Sequence, residues 1–90
     1  MPRLTDDQAR ERAAALHDWE FRGSDIRKQY RFAGFKDAMA FVGRVAALAE
    51  EADHHPDILI EYDRVTLTLT SHDSGGLTER DFRLARKIDA

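Results

Sequence analysis

Three of the four histidines lie close together in sequence, beside acids and at the predicted ends of regular elements. His54 and His55 follow Asp53, and His72 precedes Asp73. The unperturbed pKa of histidine lies nearest to neutral pH, so two histidines in different protonation states can donate and accept a proton in one step. This chemistry suits an elimination, in which one group protonates a leaving hydroxyl while another removes a proton from a neighbouring atom.

Two other interpretations of these histidines stay open on residue chemistry alone. A zinc or iron site would use the same ligand types, but adjacent side chains such as His54 and His55 diverge, and no His-x-x-x-His pair occurs. Alternatively, the histidines only cap a helix and fill a loop. Nucleophilic chemistry has less support, because the chain has no cysteine and Ser71, beside His72, lacks a Gly-x-Ser-x-Gly turn.

A helix and a strand are predicted to carry the two histidine segments. Apolar residues recur with the helical period over Phe35–Ala52 and predict a long amphipathic helix, and Pro56 prevents its continuation. Ile58–Tyr62 and Arg64–Ser71 have the alternation of a β-hairpin. In the second strand, aliphatic residues alternate with threonines, and His72 continues the threonine phase.

The remaining chain predicts another hairpin and two further helices. Thr5 and Gln8 match a capping box that opens a helix from about Asp6 to Leu16. Alternating residues flank the turn Gly23–Asp25, and Thr78 caps a last helix. Hairpins interleaved with helices predict an α+β fold of two layers: a four-stranded antiparallel sheet with helices on one face, in the order α-β-β-α-β-β-α.

Length and charge narrow the classes of function. The chain of 90 residues suits a single domain, 1–90, with a modest core, so assembly into an oligomer is expected to add stability. A net charge of −3 argues against nucleic acid as a partner. No apolar run approaches the ~20 residues of a membrane span. The N-terminal segment lacks the apolar core of a signal peptide, so a cytoplasmic location is the simplest expectation.

The spacing of the histidines and their neighbours is more specific than their chemistry. It resembles the signature of the pterin-4a-carbinolamine dehydratase family at Glu50, His54-His55-Pro56, Tyr62, His72 and Asp81-Phe82. The resemblance covers nearly the whole chain. It implies the same fold in a homodimer or homotetramer, and it implies conversion of 4a-hydroxytetrahydropterin to quinonoid dihydropterin and water. The pterin is then the small-molecule partner, and no metal or organic cofactor takes part.

The resemblance also implies roles for individual residues. His54 and His72 look like the acid/base pair, joined by His55, and which of them donates is left open because the two titrations are coupled. Glu50 and Asp81 look like supports for the histidines, although a carboxylate in the first turn of a helix explains Asp81 equally well. The residues expected to bind the pterin are Asp53, His54, His55, Thr70, Ser71, His72 and Asp73.

Three points qualify what the resemblance implies. Many relatives carry tryptophan two residues after the proline, where this chain has Ile58, which offers less aromatic surface beside a flat pterin ring. Tyr62 is expected to be a packing residue. Animal relatives also act as dimerisation cofactors of a transcription factor, so a non-catalytic protein-binding module on the same scaffold is the alternative function.

Overall fold

A computed structural model describes residues 2–90. All strand pairs are antiparallel, and the strand order in the sheet is β1-β2-β4-β3. The predicted α+β fold and element order are confirmed. The elements are α1 (Asp6–Ala14), β1 (Glu20–Phe21), β2 (Ile26–Arg31), α2 (Phe35–Ala52), β3 (Asp57–Glu61), β4 (Arg64–Leu69) and α3 (Glu79–Asp89), with a short 3₁₀ helix at His72–Ser74 between β4 and α3.

The core lies between one face of the sheet and the three helices. Val65, Leu67 and Leu69 alternate along β4 and are fully buried. They belong to one cluster with Ala9 of α1 and Phe82 of α3. Because side chains alternate between the faces of a strand, the threonines of β4 point to the other face. The sheet therefore holds the end of β4 firmly, and the following residues start from a fixed position.

Helix α2 ends where the histidine segment begins. Asp53 caps its C-terminus in the left-handed region, with φ of 51°, and its N–H donates to the carbonyls of Ala49 and Glu50. This conformation ends the helix, and the extended residue before Pro56 leads into β3. The turn thus places His54 and His55 directly after a rigid helix.

Helices α1 and α3 both begin with a complete capping box. Thr5 and Gln8 bond reciprocally at α1, as predicted. Thr78 and Asp81 do the same at α3, so the Asp81 side chain is fixed by the start of its helix. Each box satisfies two backbone N–H groups that the helix leaves unpaired.

The other end of α3 is tied to the sheet by Asp89. Its carboxylate accepts hydrogen bonds from Trp19 Nε1 at 2.8 Å, Lys28 Nζ at 3.0 Å and the Tyr30 hydroxyl. Burial raises the pKa of this carboxyl, but the three hydrogen bonds outweigh it and hold the pKa below its usual value. The cluster therefore connects α3 to β2 and to the segment before β1.

Four details differ from the sequence expectations. Strand β3 runs over Asp57–Glu61 rather than Ile58–Tyr62. Helix α1 ends at Ala14 rather than Leu16, because the N–H groups of the next two residues bond three residues back instead of four. Strand β4 ends at Leu69 rather than Ser71, because Ser71 pairs with Gly76. Tyr62 occupies the hairpin turn with φ of 57° and is 68% exposed, so the expectation that it packs is wrong.

Several large apolar side chains remain exposed. Phe35 and Met39 lie on α2, and Leu59 and Ile60 lie on the edge strand β3. Within residues 2–90, no helix is long and apolar enough to cross a membrane.

Candidate active site

The segment after α2 and the segment after β4 meet in one pocket of about 250 Å³, which we call the histidine pocket. All seven residues expected to bind the pterin line it, together with one residue that the sequence reasoning missed. The lining residues are Asp53, His54, His55, Thr70, Ser71, His72, Asp73 and Arg80. The structure therefore brings together three histidines from two separate segments.

His54 is held by a fully buried carboxylate. Its Nε2 lies 2.5 Å from Asp81 Oδ1, and the residue is only 8% exposed. The other oxygen of Asp81, Oδ2, accepts hydrogen bonds from the Ser71 hydroxyl at 2.8 Å and the Thr78 N–H at 2.9 Å. Asp81 thus caps α3 and supports His54 at the same time, so both explanations of this residue apply together.

One arrangement of protons satisfies the network around an ionised Asp81. The Ser71 hydroxyl donates to Asp81, so the 2.9 Å contact between the Ser71 and Thr78 hydroxyls uses the proton of Thr78. An ionised carboxylate only accepts, so His54 donates its Nε2–H. Neutral His54 then carries its lone pair on Nδ1. That nitrogen is the one able to accept a proton.

His55 is arranged differently from His54. Its Nε2 is hydrogen-bonded to Glu50 Oε2, and both side chains are mostly exposed. Glu50 lies in the last turn of α2, so the pair connects the helix to the pocket rim. This places Glu50 beside a pocket histidine.

His72 begins the 3₁₀ helix and is exposed to solvent. The loop that carries it is closed by two backbone hydrogen bonds between Ser71 and Gly76, of 3.1 and 3.2 Å. Gly75 ends the short helix in the left-handed region, with φ of 77°. The backbone around His72 is therefore fixed, while its imidazole stays accessible to a ligand.

Arg80 is the pocket residue that the sequence reasoning missed. Its Nη2 donates to the carbonyl oxygen of Asp53 at 2.5 Å, which joins α3 to the turn before His54. A cation in the first turn of a helix opposes the helix dipole. Because this placement is unfavourable, an arginine at position 80 indicates that its side chain has a partner, and this was the signal that could have identified it.

Two further observations concern Ile58 and a metal site, both of which the sequence analysis raised. Ile58 packs against the core cluster and does not line the histidine pocket. Among residues 2–90, no three His, Asp or Glu side chains are grouped so that they could hold a metal ion.

Comparison with known proteins decides the family. The family model described as pterin 4 alpha carbinolamine dehydratase matches residues 2–90. The chain belongs to this family. A relative from Chloroflexus aurantiacus, named for the same dehydratase, is 53% identical over 89 residues, which cover 99% of this chain and 96% of the relative. A relative from Thermomicrobium roseum with the same name is 52% identical over 88 residues.

Two solved structures share the fold. A Brucella melitensis protein described as a transcriptional coactivator/pterin dehydratase has a TM-score of 0.91 and 36% identity over 97% of this chain and 95% of its own. A pterin dehydratase-like protein described as a RuBisCO assembly factor in the alpha-carboxysome has a TM-score of 0.70 and 29% identity, over 81% of this chain and 87% of its own. Members with this fold are thus described both as dehydratases and as proteins that assist others.

Proposed function

We propose that the chain, as one domain over residues 1–90, is an active pterin-4a-carbinolamine dehydratase. It converts a 4a-hydroxytetrahydropterin to quinonoid dihydropterin and water, and so regenerates a pterin after aromatic hydroxylation. The observation that carries this proposal is the convergence of His54, His55 and His72 on one pocket, with His54 oriented by a buried carboxylate. The chain needs no metal or organic cofactor for this reaction.

The proton bookkeeping of the reaction matches the two kinds of histidine environment. The substrate loses the hydroxyl from C4a and the proton from the adjacent nitrogen N5, and a C4a=N5 double bond forms. His54 takes the N5 proton on Nδ1, and Asp81 stabilises the imidazolium that results. His72, accessible on the opposite segment, donates a proton to the leaving hydroxyl. The product is water, and the two histidines exchange their protons with solvent before the next turnover.

The other pocket residues position the substrate in this proposal. His55, which is hydrogen-bonded to Glu50 at the pocket rim, is the third of the proposed catalytic histidines and binds the pterin ring. Asp53, Thr70, Ser71 and Asp73 line the same pocket with hydrogen-bonding groups. A flat, polar pterin fits a pocket whose walls offer imidazoles, hydroxyls and carboxylates.

A second function, as a protein-binding module, is favoured by one observation. Phe35 and Met39 on α2 are 52% and 38% exposed, and Leu59 on the edge strand is 55% exposed. Exposed apolar side chains of this size mark contact surfaces. We expect these side chains, on α2 and on the open face of the sheet, to contribute to the contacts of a homodimer or homotetramer, and one of the two faces serves a partner protein if the chain is not catalytic.

The decisive experiment is a dehydration assay with three proteins. A pterin-dependent hydroxylase generates the 4a-hydroxytetrahydropterin in situ, and ultraviolet absorbance follows its dehydration. The proteins are the wild type, His72→Ala, and His17→Ala as a matched control, because His17 is exposed outside the pocket. General acid–base catalysis contributes about 10²–10⁴-fold, so the loss should stand clearly above the spontaneous rate.

The expected result is acceleration by the wild type and by His17→Ala, with most of it lost in a folded His72→Ala protein. Equal activity of wild type and His72→Ala would refute the role of His72. No acceleration by the wild type would refute the dehydratase proposal, and the protein-binding module would then be the better explanation.

A further inference from the structure

A second, smaller cavity lies beside the histidine pocket, between the end of α2 and α3. It has a volume of about 120 Å³, and we call it the basic pocket. Its lining residues are Ala52, His54, Arg80, Arg83, Leu84 and Lys87. His54 and Arg80 line both cavities, so the two adjoin at these residues.

The basic pocket concentrates positive charge in a chain whose net charge is −3. Arg80, Arg83 and Lys87 follow the i, i+3, i+7 spacing that places side chains on one face of α3. Lys87 lies 3.9 Å from Glu51, an ion pair whose partners are both largely exposed. Within residues 2–90, Arg83 makes no hydrogen bond or ion pair. Arg83 is therefore available to an anion, Lys87 can exchange its exposed partner for one, and Arg80 is held by the carbonyl oxygen of Asp53.

The reaction itself directs one end of the substrate towards this cavity. His54 takes the proton from N5 in the proposed mechanism, and the ring carbon C6 is bonded directly to N5. The C6 side chain of the pterin therefore starts next to His54, which also lines the basic pocket. The space of about 120 Å³ is enough for one phosphate or carboxylate group.

The cavity on the other side of the histidine pocket has the opposite character. It shares Thr70 and His72 with the histidine pocket and is also lined by Ser24 and Asp25. Asp25 is paired with Arg22 at 3.1 Å, and the lining of this cavity contains no arginine or lysine to bind an anion. The charges on the two sides therefore distinguish where an anionic side chain can lie.

We infer that the substrate is a tetrahydropterin with an anionic side chain, whose phosphate or carboxylate group is bound by Arg83 and Lys87 in the basic pocket. This inference rests on the proposed dehydratase function and adds the class of substrate. Arg83 and Lys87 are then specificity-determining residues. They contact the side chain and take no part in the proton transfers.

The test compares two stable pterins as inhibitors of the dehydration of a substrate with a neutral 6-methyl group. The inhibitors are 7,8-dihydroneopterin and its 3′-phosphate, which differ only in the anionic group. The proteins are wild type, the double variant Arg83→Gln/Lys87→Gln, and Arg86→Gln. Arg86 is exposed on α3 and does not line the basic pocket, so its replacement controls for the loss of charge.

The expected result is about tenfold stronger inhibition by the phosphate ester with wild type and with Arg86→Gln, because charge-assisted hydrogen bonds form in a partly enclosed site. The double variant should lose most of that preference, and added salt should weaken it. Inorganic phosphate should compete with the phosphorylated inhibitor and leave the neutral one unaffected.

Equal inhibition of the wild type by both inhibitors would overturn the inference. So would a preference for the phosphate ester that survives in the double variant, or one that Arg86→Gln reduces as much as the double variant does. Binding of inorganic phosphate without a gain for the phosphate ester would assign the cavity to a free anion and also overturn it. The rate of the wild type on the neutral substrate reports on the dehydratase proposal separately.

Discussion

Replacing Asp81 by asparagine changes the proton arrangement at His54 and keeps the size of the side chain. Three donors converge on the two oxygens of Asp81: the Thr78 N–H, the Ser71 hydroxyl and His54 Nε2. The backbone N–H of Thr78 cannot rotate, so the single oxygen of asparagine must face it. The amide NH₂ then faces His54 and donates to Nε2, which places the proton of the neutral imidazole on Nδ1. The nitrogen proposed to accept the substrate proton is thereby blocked.

The structure also sets the size of the effects on stability and on activity. Hydrogen bonds to charged groups contribute about 1.5–3 kcal/mol and neutral ones about 0.5–1.5 kcal/mol, so three weakened bonds lower the free energy of unfolding. Removing a buried charge offsets part of this, which leaves a loss of about 1–3 kcal/mol. The activity should fall by about 10²-fold or more, towards the spontaneous rate, since the same carboxylate-to-amide change in a serine protease triad inverts a tautomer at a cost of about 10⁴.

The assays are denaturant unfolding, the dehydration rate, and ¹⁵N NMR of the His54 imidazole at a pH where it is neutral. Thr78→Ala is the matched control, because it removes the helix cap at a cost of about 1 kcal/mol and keeps the carboxylate. We expect this control to retain the Nε2–H tautomer and an activity close to wild type. A folded Asp81→Asn protein with activity within about threefold of wild type, or with the proton still on Nε2, would refute the reasoning.

Two further predictions concern stability. Asp89→Asn weakens the bonds from Trp19, Lys28 and Tyr30 and should cost about 1–2 kcal/mol at neutral pH, moderated by solvent at this partly exposed carboxylate. Because the pKa of Asp89 is lowered on folding, this stabilisation is fully present above the unfolded value of about 3.9 and is lost as pH falls through the folded value. Thermal melts of both proteins from pH 7 to pH 2 should therefore converge in acid, and a constant difference would contradict this assignment. Thr5→Ala should lower the free energy of unfolding by about 1 kcal/mol by removing the α1 cap, and an unchanged urea midpoint would count against it.

Local signals in the sequence predicted most of the fold. The bounds of α2, the capping box at Thr5 and the cap at Thr78 follow from periodicity and from side chains that bond within four residues. The ends of α1 and β4 were misplaced by two residues, because hydrogen bonds that replace the regular pattern decide them. Tyr62 was misassigned because its apolar ring suggested packing, whereas the hairpin turn points it into solvent.

Motif spacing predicted most residues of the histidine pocket, but it did not predict the contacts that bring them together. Motif spacing selected His54, His72 and Asp81, but their meeting depends on how α3 packs against the ends of α2 and β4. Arg80 shows the same limit, since its bond to the Asp53 carbonyl joins residues 27 positions apart. Such contacts leave no periodic trace in the sequence.

The dual use of Asp81 links the stability of α3 to the chemistry of the pocket. A buried carboxylate is expensive unless its lone pairs are satisfied, and here a helix cap and a serine hydroxyl satisfy one oxygen. The second oxygen is then held in place for His54 before any ligand arrives. Preorganisation of this kind avoids reorganisation during the reaction. A small domain can therefore fix the orientation of His54, the histidine that we propose as the base, with the same interactions that begin its last helix.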